Sequence, residues 1–387
     1  MIPIPYGRQD ISEDDIAAVE AVLRSDWLTQ GPTVERFEQT VASYVGARYA
    51  CAVNNATAGL HLACRAVGLG PGDTLWTVPN TFVASSNAAL YCGASIDFVD
   101  IDPGTYNMSV TALTDKLQAA ERQGKLPKVV MPVHFAGQSC ALREIATLAK
   151  RYGFRIVEDA AHAIGGDYLS RKVGSCMYSD IAVFSFHPVK IVTTGEGGLL
   201  VTNDRALHES SLLLRSHGIT RNPALMDKPA EGAWYYQQVE LGYNYRMTDI
   251  QAALGISQMQ RIDPFVARRR QIADHYDAVL SSLPVRIPER SPDSVSAWHL
   301  YVIQIDAART SRSRKEVFDA LRAAGIQANV HYSPVHLNPY YRRLGFAPGD
   351  FSIAENYYQC AITLPLYPGL DSQQIDYIVE ILRDIFE

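Results

Sequence analysis

The sequence lacks the patterns that identify several large classes of protein. No apolar run of about 18 or more residues occurs, so no membrane-spanning helix is predicted. The net charge is −6 and the densest basic cluster is the arginine triplet at 268–270, so no nucleic-acid-binding surface is predicted either. The six cysteines show no C-x-x-C spacing and the ten histidines no H-E-x-x-H motif, which leaves no predicted metal site. A reducing, cytoplasmic location is therefore expected.

A dinucleotide-binding fingerprint is also missing. The glycine-rich segment 195–198 does not extend to G-x-G-x-x-G, because residue 200 is a leucine. What the chain has is a hydrophobic fraction of 47% over 387 residues, which is enough to bury a large core and to form two domains.

Strand and helix patterns alternate along the first two thirds of the chain. Strands are predicted at residues 49–53, 74–78, 95–99, 128–133, 155–158, 181–185 and 198–202, and helices at 58–67, 82–91, 111–123 and 142–152. This alternation predicts an α/β large domain with a mostly parallel central sheet. Ligands of such sheets lie at the carboxyl ends of the strands.

The pattern changes after residue 220. Residues 221–238 are predicted to form an irregular loop, and residues 247–270 one long helix with a kink at Pro264. Prolines at 284, 288 and 292 then mark a new unit. Its predicted elements are a strand at 299–305, a helix at 313–323, a strand at 326–332 and a helix at 373–386. The predicted domains are a large one at 1–263, including the N-terminal segment, and a small C-terminal α+β domain at 264–387.

Asp159 and Lys190 form the most informative pair of residues. Asp159 follows the apolar strand at 155–158, and Lys190 follows the strand at 181–185. A lone lysine is usually a surface charge, and an aspartate at a strand end is usually a turn residue. Pyridoxal phosphate, however, needs both groups in one pocket: a lysine amine to hold its aldehyde as a Schiff base and a carboxylate to keep its ring nitrogen protonated. The pair therefore predicts pyridoxal phosphate as the cofactor.

A phosphate site is predicted at the start of the helix that follows the strand at 49–53. The small and polar residues 54–59 lead from that strand into the helix. The free N–H groups and the positive dipole end of a helix N-terminus suit a phosphate. An ordinary helix cap is the alternative for this segment alone.

These motifs occur in the order found in a known family. The chain resembles the DegT/DnrJ/EryC1/StrS sugar aminotransferases, which belong to the fold type I pyridoxal-phosphate enzymes. The resemblance rests on residues 27–32, 54–58, 158–162, 184–190, 215–218, 242–249 and 325–332. It covers nearly the whole chain and implies a homodimer that transfers an amino group from L-glutamate to a keto group of a nucleotide-linked sugar.

The resemblance implies roles for individual residues at the cofactor. Lys190 would bind the cofactor and move a proton, Asp159 would pair with the ring nitrogen, and His162 would replace a glutamine that many relatives have beside the ring hydroxyl. The other implied cofactor contacts are Ala56 and Thr57 through backbone amides, Ser185 through its hydroxyl, Phe82 by stacking on the ring, and Asn244 from the neighbouring subunit. A packing role for His162 and a core position for Phe82 are the alternatives.

The same resemblance implies the substrate contacts. These are Tyr6, Thr29, Gln30, His217, Tyr243, Arg246, His331 and Tyr332. The expected reaction is amination at C4 of a UDP-linked 4-keto-6-deoxy-N-acetylhexosamine, and the alternative is another UDP- or dTDP-linked 4-keto-6-deoxy sugar, such as one of the bacillosamine type. A dehydratase of the family would carry a histidine in place of Lys190, so the lysine argues against it. A non-catalytic sensor or interaction protein with the same fold is the third hypothesis.

Overall fold

The computed structural model of the protein describes residues 3–387 and has a seven-stranded sheet at its centre. The strands in chain order are β1 (Ile4–Pro5), β2 (Tyr49–Val53), β3 (Thr74–Thr77), β4 (Ser95–Phe98), β5 (Val129–Val130), β6 (Arg155–Asp159), β7 (Asp167–Tyr168), β8 (Arg171–Lys172), β9 (Ile181–Ser185), β10 (Gly198–Thr202), β11 (Ile219–Thr220), β12 (Gln237–Gln238), β13 (Val285–Arg286), β14 (Ser294–Val295), β15 (Tyr301–Ile305), β16 (Ile326–Gln327) and β17 (Ala361–Leu364). The central sheet has the order β2-β10-β9-β6-β5-β3-β4. Only β10 runs antiparallel to its neighbours in this sheet, which confirms the predicted α/β class.

Helices follow most of the strands of the sheet. They are α1 (Glu13–Leu23), α2 (Pro32–Val45), α3 (Ala56–Ala66), α4 (Val83–Tyr91), α5 (Val110–Gln123), α6 (Leu142–Tyr152), α7 (Arg205–Arg215), α8 (Asp249–Met259), α9 (Ile262–Leu280), α10 (Arg314–Ala323), α11 (Pro339–Arg342), α12 (Ser352–Cys360) and α13 (Ser372–Phe386). Every residue of β9 and β10 is buried, because both faces of the sheet are covered. No helix within residues 3–387 is long and apolar enough to cross a membrane.

The prediction of a single long helix at 247–270 is wrong. Two helices occupy the region, α8 and α9, and the break between them falls at Gln260 and Arg261. Pro264 lies in the first turn of α9, where its missing N–H costs no helical hydrogen bond. The proline therefore starts a helix instead of kinking one.

The strand predicted at 326–332 is also wrong over most of its length. Only Ile326–Gln327 forms a strand, β16, and it pairs in parallel with β1. Farther along, the N–H groups of Val330 and Tyr332 donate to asparagine side chains, Asn329 and Asn80 respectively. Because asparagine side chains accept hydrogen bonds from these backbone N–H groups, the segment does not have to pair with another strand.

The C-terminal region has its own core around the antiparallel sheet β13-β15-β17. Helix α13 begins with a capping box at Asp371 and buries Ile378 and Leu382 completely. Ile4 joins the same core, so the N-terminal segment packs against the C-terminal region. The boundary between residues 263 and 264 falls inside the first turn of α9 and remains our proposal for the two domains.

Candidate active site

Several polar residues singled out from the sequence lie at the carboxyl ends of the parallel strands of the central sheet. Asp159 and Ser185 are the last residues of β6 and β9, which run in parallel. Gly198, the first residue of the antiparallel β10, pairs with Ser185 on one side and with Val53, the last residue of β2, on the other. Parallel strands end at the same edge, so these positions are brought together by the topology of the sheet.

Asp159 is buried and held at both carboxylate oxygens. The N–H of Ala161 donates to Oδ1 at 3.1 Å, and the hydroxyl of Ser85 donates to Oδ2 at 2.6 Å. Ser85 is not among the site residues predicted from the sequence. These charge-assisted hydrogen bonds fix the orientation of the carboxylate in the pocket.

Lys190 lies in the turn that follows β9 and is half-buried. Burial lowers the pKa of its amine to about 8, although the nearby Asp159 carboxylate acts in the opposite direction. A lysine with such a pKa is neutral in about a tenth of the molecules at pH 7, far more than a lysine of ordinary pKa. It can therefore act as a nucleophile or as a base.

The hydrogen bonds of His162 define its tautomer. Its Nδ1 accepts from the backbone N–H of Ala136 at 3.3 Å, so in the neutral ring the proton resides on Nε2. Nε2 then donates to the hydroxyl oxygen of Tyr332 at 3.2 Å. Burial, and next the charge of Lys190, hold the pKa of His162 well below its usual value. His162 is consequently a neutral hydrogen-bond donor near the lysine.

Three predicted substrate residues from the two ends of the chain meet beside these groups. The rings of Tyr6 and His331 lie 5.4 Å apart, and Nδ1 of His331 lies 2.8 Å from the hydroxyl of Thr363. Burial, with a smaller contribution from Lys190, lowers the pKa of His331 to about 3, so this ring is neutral. The backbone N–H of Tyr332 donates to Oδ1 of Asn80 at 3.1 Å, which holds Tyr332 against the segment between β3 and α4.

The start of α3 forms an open cradle next to Ser185. Ala56 and Thr57 are its first two residues, so their N–H groups have no partner within the helix. A methyl group at Gly198 would lie 2.5 Å from the nitrogen of Ala56, so only glycine permits this approach of β10 to the helix start. The cradle offers backbone donors to an anion, as a phosphate site requires.

Phe82 is the residue that precedes α4, and 59% of it is exposed. Its ring centroid lies 6.5 Å from that of Tyr332. The core position considered as the alternative for Phe82 is thus excluded. An exposed aromatic ring at the mouth of the pocket offers a flat apolar surface to a ring-shaped ligand.

These groups together fit pyridoxal phosphate. The lysine amine, the oriented carboxylate and the open helix start match the aldehyde, the ring nitrogen and the phosphate of the cofactor in their chemistry. When bound, the cofactor supplies an electron sink for the carbon that loses or gains a proton.

The other predicted residues form a second group along the exposed edge of β2. Thr29 and Gln30 are exposed and Thr29 forms a bridge with Thr248. The N–H of His217 donates to the carbonyl of Tyr243 at 2.8 Å. The remaining members, Asn244 and Arg246, form backbone bridges with Ser216 and Val53 respectively.

A cleft of about 530 Å³ lies in this second region. Gln30 and Arg246 line it together with Arg48 and Arg215. Lys190, Asp159 and His162 do not line it. Within one chain, therefore, the predicted residues fall into two groups, one around Lys190 and one around Arg246.

Two residues of the pocket were missed from the sequence, Ser85 and Asn80. Asn80 lies in the segment between β3 and α4, which also contains Phe82, and Ser85 lies in the first turn of α4. Thr81 lies before the helix, so the four-residue spacing of Thr81 and Ser85 does not mark a helix face. Nothing in the sequence indicated that Ser85 lies against Asp159.

Comparison with known proteins places the chain in a family. Residues 9–383 match the DegT/DnrJ/EryC1/StrS aminotransferase family. The spore coat polysaccharide biosynthesis protein SpsC of Bacillus subtilis is 40% identical over 385 residues, which are 99% of this chain and 97% of that protein. The UDP-4-amino-4,6-dideoxy-N-acetyl-beta-L-altrosamine transaminase of Campylobacter jejuni is 35% identical, with 99% of this chain and 98% of that protein covered.

A solved structure agrees with this result. Helicobacter pylori PseC, described as an aminotransferase involved in the biosynthesis of pseudoaminic acid, superimposes with a TM-score of 0.90 at 29% identity, and 99% of each chain is covered. The protein belongs to the DegT/DnrJ/EryC1/StrS aminotransferase family. It is a sugar aminotransferase that uses pyridoxal phosphate.

Proposed function

We propose that the protein transfers the amino group of L-glutamate to C4 of UDP-2-acetamido-2,6-dideoxy-β-L-arabino-hex-4-ulose, a step of pseudaminic acid biosynthesis. The observation that carries this proposal is the likeness, over 99% of the chain, to a transaminase named for the corresponding amino sugar and to PseC. The acceptor is a nucleotide-linked 4-keto-6-deoxy-N-acetylhexosamine, and the reaction takes place in the cytoplasm.

The residues around Lys190 account for the chemistry. Lys190 would hold the cofactor and, once freed by the amino donor, would move a proton between the cofactor carbon and the substrate carbon; its lowered pKa suits this task. Asp159 keeps the proton on the ring nitrogen, and Ser185 with the start of α3 binds the phosphate. L-glutamate leaves as 2-oxoglutarate in the first half of the reaction, and the C4 ketone receives the amino group in the second.

His162 and Tyr332 orient the ring of the cofactor. Because Nε2–H of His162 donates to the Tyr332 hydroxyl, the hydroxyl proton of Tyr332 remains available to a ligand oxygen. His162 would thus act partly through the Tyr332 hydroxyl, which would lie beside the hydroxyl oxygen of the cofactor ring. Tyr6 and His331 complete this side of the pocket and contact the sugar.

A homodimer with shared active sites is part of the proposal. Of the second group of residues, Arg246 lines the cleft beside β2, which Lys190 does not line, and Asn244 is exposed. In a symmetric dimer, one surface serves both protomers, so such residues can complete the partner's site. The neighbouring segment exposes large apolar side chains, with Trp234 at 73% and Leu241 at 69% exposure, as an interface would.

The alternative acceptors are other UDP- or dTDP-linked 4-keto-6-deoxy sugars, including those of the bacillosamine type. The uncharged hydrogen-bonding groups around Lys190 suit any sugar of this class, so the configuration of the sugar ring determines which sugar is the acceptor. The lysine at position 190 argues against a dehydratase, which would have a histidine at this position.

A spectroscopic titration tests the proposal. The holoenzyme is bleached with L-glutamate and then titrated with UDP-linked 4-keto sugars of L-arabino and D-xylo configuration, while the yellow absorption band and the mass of the product are followed. Return of the band with the L-arabino sugar alone supports the proposal. Return with the D-xylo sugar alone assigns the protein to the bacillosamine type. The Lys190→Ala variant, which L-glutamate should not bleach, serves as the control.

A further inference from the structure

Two buried hydroxyl groups stand in line behind Asp159. Thr81 Oγ1 lies 2.8 Å from Ser85 Oγ, and Ser85 Oγ lies 2.6 Å from Asp159 Oδ2. The three residues are 3%, 0% and 6% exposed. This line of contacts, which we call the hydroxyl relay, joins the start of α4 to the end of β6.

The protons of the hydroxyl relay point toward the carboxylate. An ionised carboxylate only accepts hydrogen bonds, so Ser85 donates its single hydroxyl proton to Asp159. The carbonyl of Phe82 lies farther from the same hydroxyl, at 3.3 Å. With its proton committed, the oxygen of Ser85 accepts from Thr81. Hydrogen bonds in such a buried chain polarise one another, so Thr81 strengthens the bond that Ser85 makes.

We infer that Ser85, supported by Thr81, is a positioning residue that keeps the proton on the ring nitrogen of the cofactor. It acts through Asp159, so the inference rests on the role that the proposed function gives to this carboxylate. Ser85 and the N–H of Ala161 bind one oxygen each and hold the carboxylate plane. Held in this orientation, the ionised carboxylate offers a fixed acceptor to the protonated ring nitrogen, and this charge-assisted hydrogen bond keeps the proton on the nitrogen.

A purely local role for the two hydroxyls accounts less well for the geometry. Helix α4 begins after Phe82, and no side chain caps its first turn. The shortest bond of the hydroxyl relay leads away from the helix, to a residue 74 positions further along the chain. Ser85 thus donates its only hydroxyl proton to Asp159 and not to a group of its own helix.

The test compares Ser85→Ala and Ser85→Thr in the holoenzyme. We expect Ser85→Ala to lower kcat about tenfold while KM for the ketosugar stays within about twofold. The pH midpoint of the visible band should move upward. A ring that holds its proton less firmly withdraws less electron density from the nitrogen joined to Lys190, and the pKa of that nitrogen rises. Ser85→Thr keeps the hydroxyl and should restore both quantities.

The neighbouring Ser86 provides a matched control. Its hydroxyl is equally buried but lies 2.6 Å from the hydroxyl of Tyr341, away from Asp159. Ser86→Ala should leave kcat and the pH midpoint of the band unchanged. If Ser85→Ala does not fold, Thr81→Val takes its place, since it leaves the contact between Ser85 and Asp159 intact; a loss of about threefold in kcat with a smaller upward shift of the midpoint is expected.

A double variant shows whether Ser85 acts through Asp159. In the Asp159→Asn background, the added Ser85→Ala exchange should cause no further loss of kcat. A full additional tenfold loss, or a single Ser85→Ala variant with wild-type kcat and midpoint, would overturn the inference. Failure of the proposed function is distinguishable, because then the wild-type band would bleach with L-glutamate but would not return with the L-arabino ketosugar, while the pH midpoint of the band could still be compared between the variants.

Discussion

His162 and Tyr332 are 170 residues apart in the chain, and Nε2 of the histidine lies 3.2 Å from the hydroxyl of the tyrosine. The bond connects the end of β6 with the segment after β16. It closes the side of the pocket next to Lys190, and it makes the position of Tyr332 depend on the tautomer of His162.

Replacement of Tyr332 by phenylalanine removes the acceptor of this bond. We expect a loss of about 1–3 kcal/mol in the free energy of unfolding, because Nε2–H of the buried His162 is left unpaired. We also expect a loss of about tenfold in kcat. Urea denaturation and steady-state kinetics measure both quantities. Tyr340→Phe, at a tyrosine that is 51% exposed, is the control and should change neither.

Replacement of His162 by glutamine keeps an N–H donor at the same place. Activity should stay within about threefold of wild type, whereas His162→Leu should lose about 100-fold, since it leaves no donor for Tyr332. Because the pKa of His162 is held well below its usual value, kcat/KM should show no ionisation of this residue between about pH 6 and 7. A wild-type rate in the leucine variant would contradict a role for this hydrogen bond.

Lys190 should determine how the protein captures its cofactor. The neutral amine is the reactive form, so the rate at which the apoprotein gains its visible band should rise with pH to a plateau, with a midpoint near the lysine pKa of about 8. Stopped-flow absorbance at a series of pH values measures this rate. Lys190→Ala should abolish turnover while the protein still retains bound cofactor, and a variant with near-native turnover would refute the assignment.

Replacement of Gly198 by alanine should weaken binding of the cofactor phosphate. The added methyl group lies 2.5 Å from the nitrogen of Ala56, so the start of α3 must shift. We expect the dissociation constant of pyridoxal phosphate to rise by about tenfold or more. Gly70→Ala is the matched control, because a methyl group there meets no atom within 4 Å. Equal affinities of the two variants would contradict a cradle at this position.

Mixing two inactive variants tests whether the sites are shared. If Asn244 completes the site of the partner, a dimer of one Lys190→Ala chain and one Asn244→Ala chain contains one intact site. After refolding of an equal mixture, about a quarter of the wild-type activity should return at limiting cofactor. Asn244→Ala alone should have a raised dissociation constant for the cofactor. Absence of any regain, with mixed dimers present, would show that each chain builds its site alone.

Much of the central sheet could be predicted because its signals are local. The strands at 49–53, 181–185 and 198–202 occur in the structure with the predicted bounds, since buried strands of a covered sheet are continuous apolar runs. Helix α1 also had a local signal, the capping box of Ser12 and Asp15, but it was not predicted. The break between α8 and α9 was missed because a proline at a first turn and a proline at a kink have the same sequence pattern.

The sequence by itself determined the class of the protein. Asp159 at the end of β6 and Lys190 in the turn after β9 predict the cofactor chemistry, because the residue types and the strand ends are both encoded locally. The tertiary structure alone decided which groups surround them: Ser85 on Asp159, Tyr332 on His162 and Gly198 at the start of α3. Each of these contacts joins residues that are far apart in the chain, and only the pairing of the strands and the packing of the helices and of the C-terminal region against the sheet bring them together.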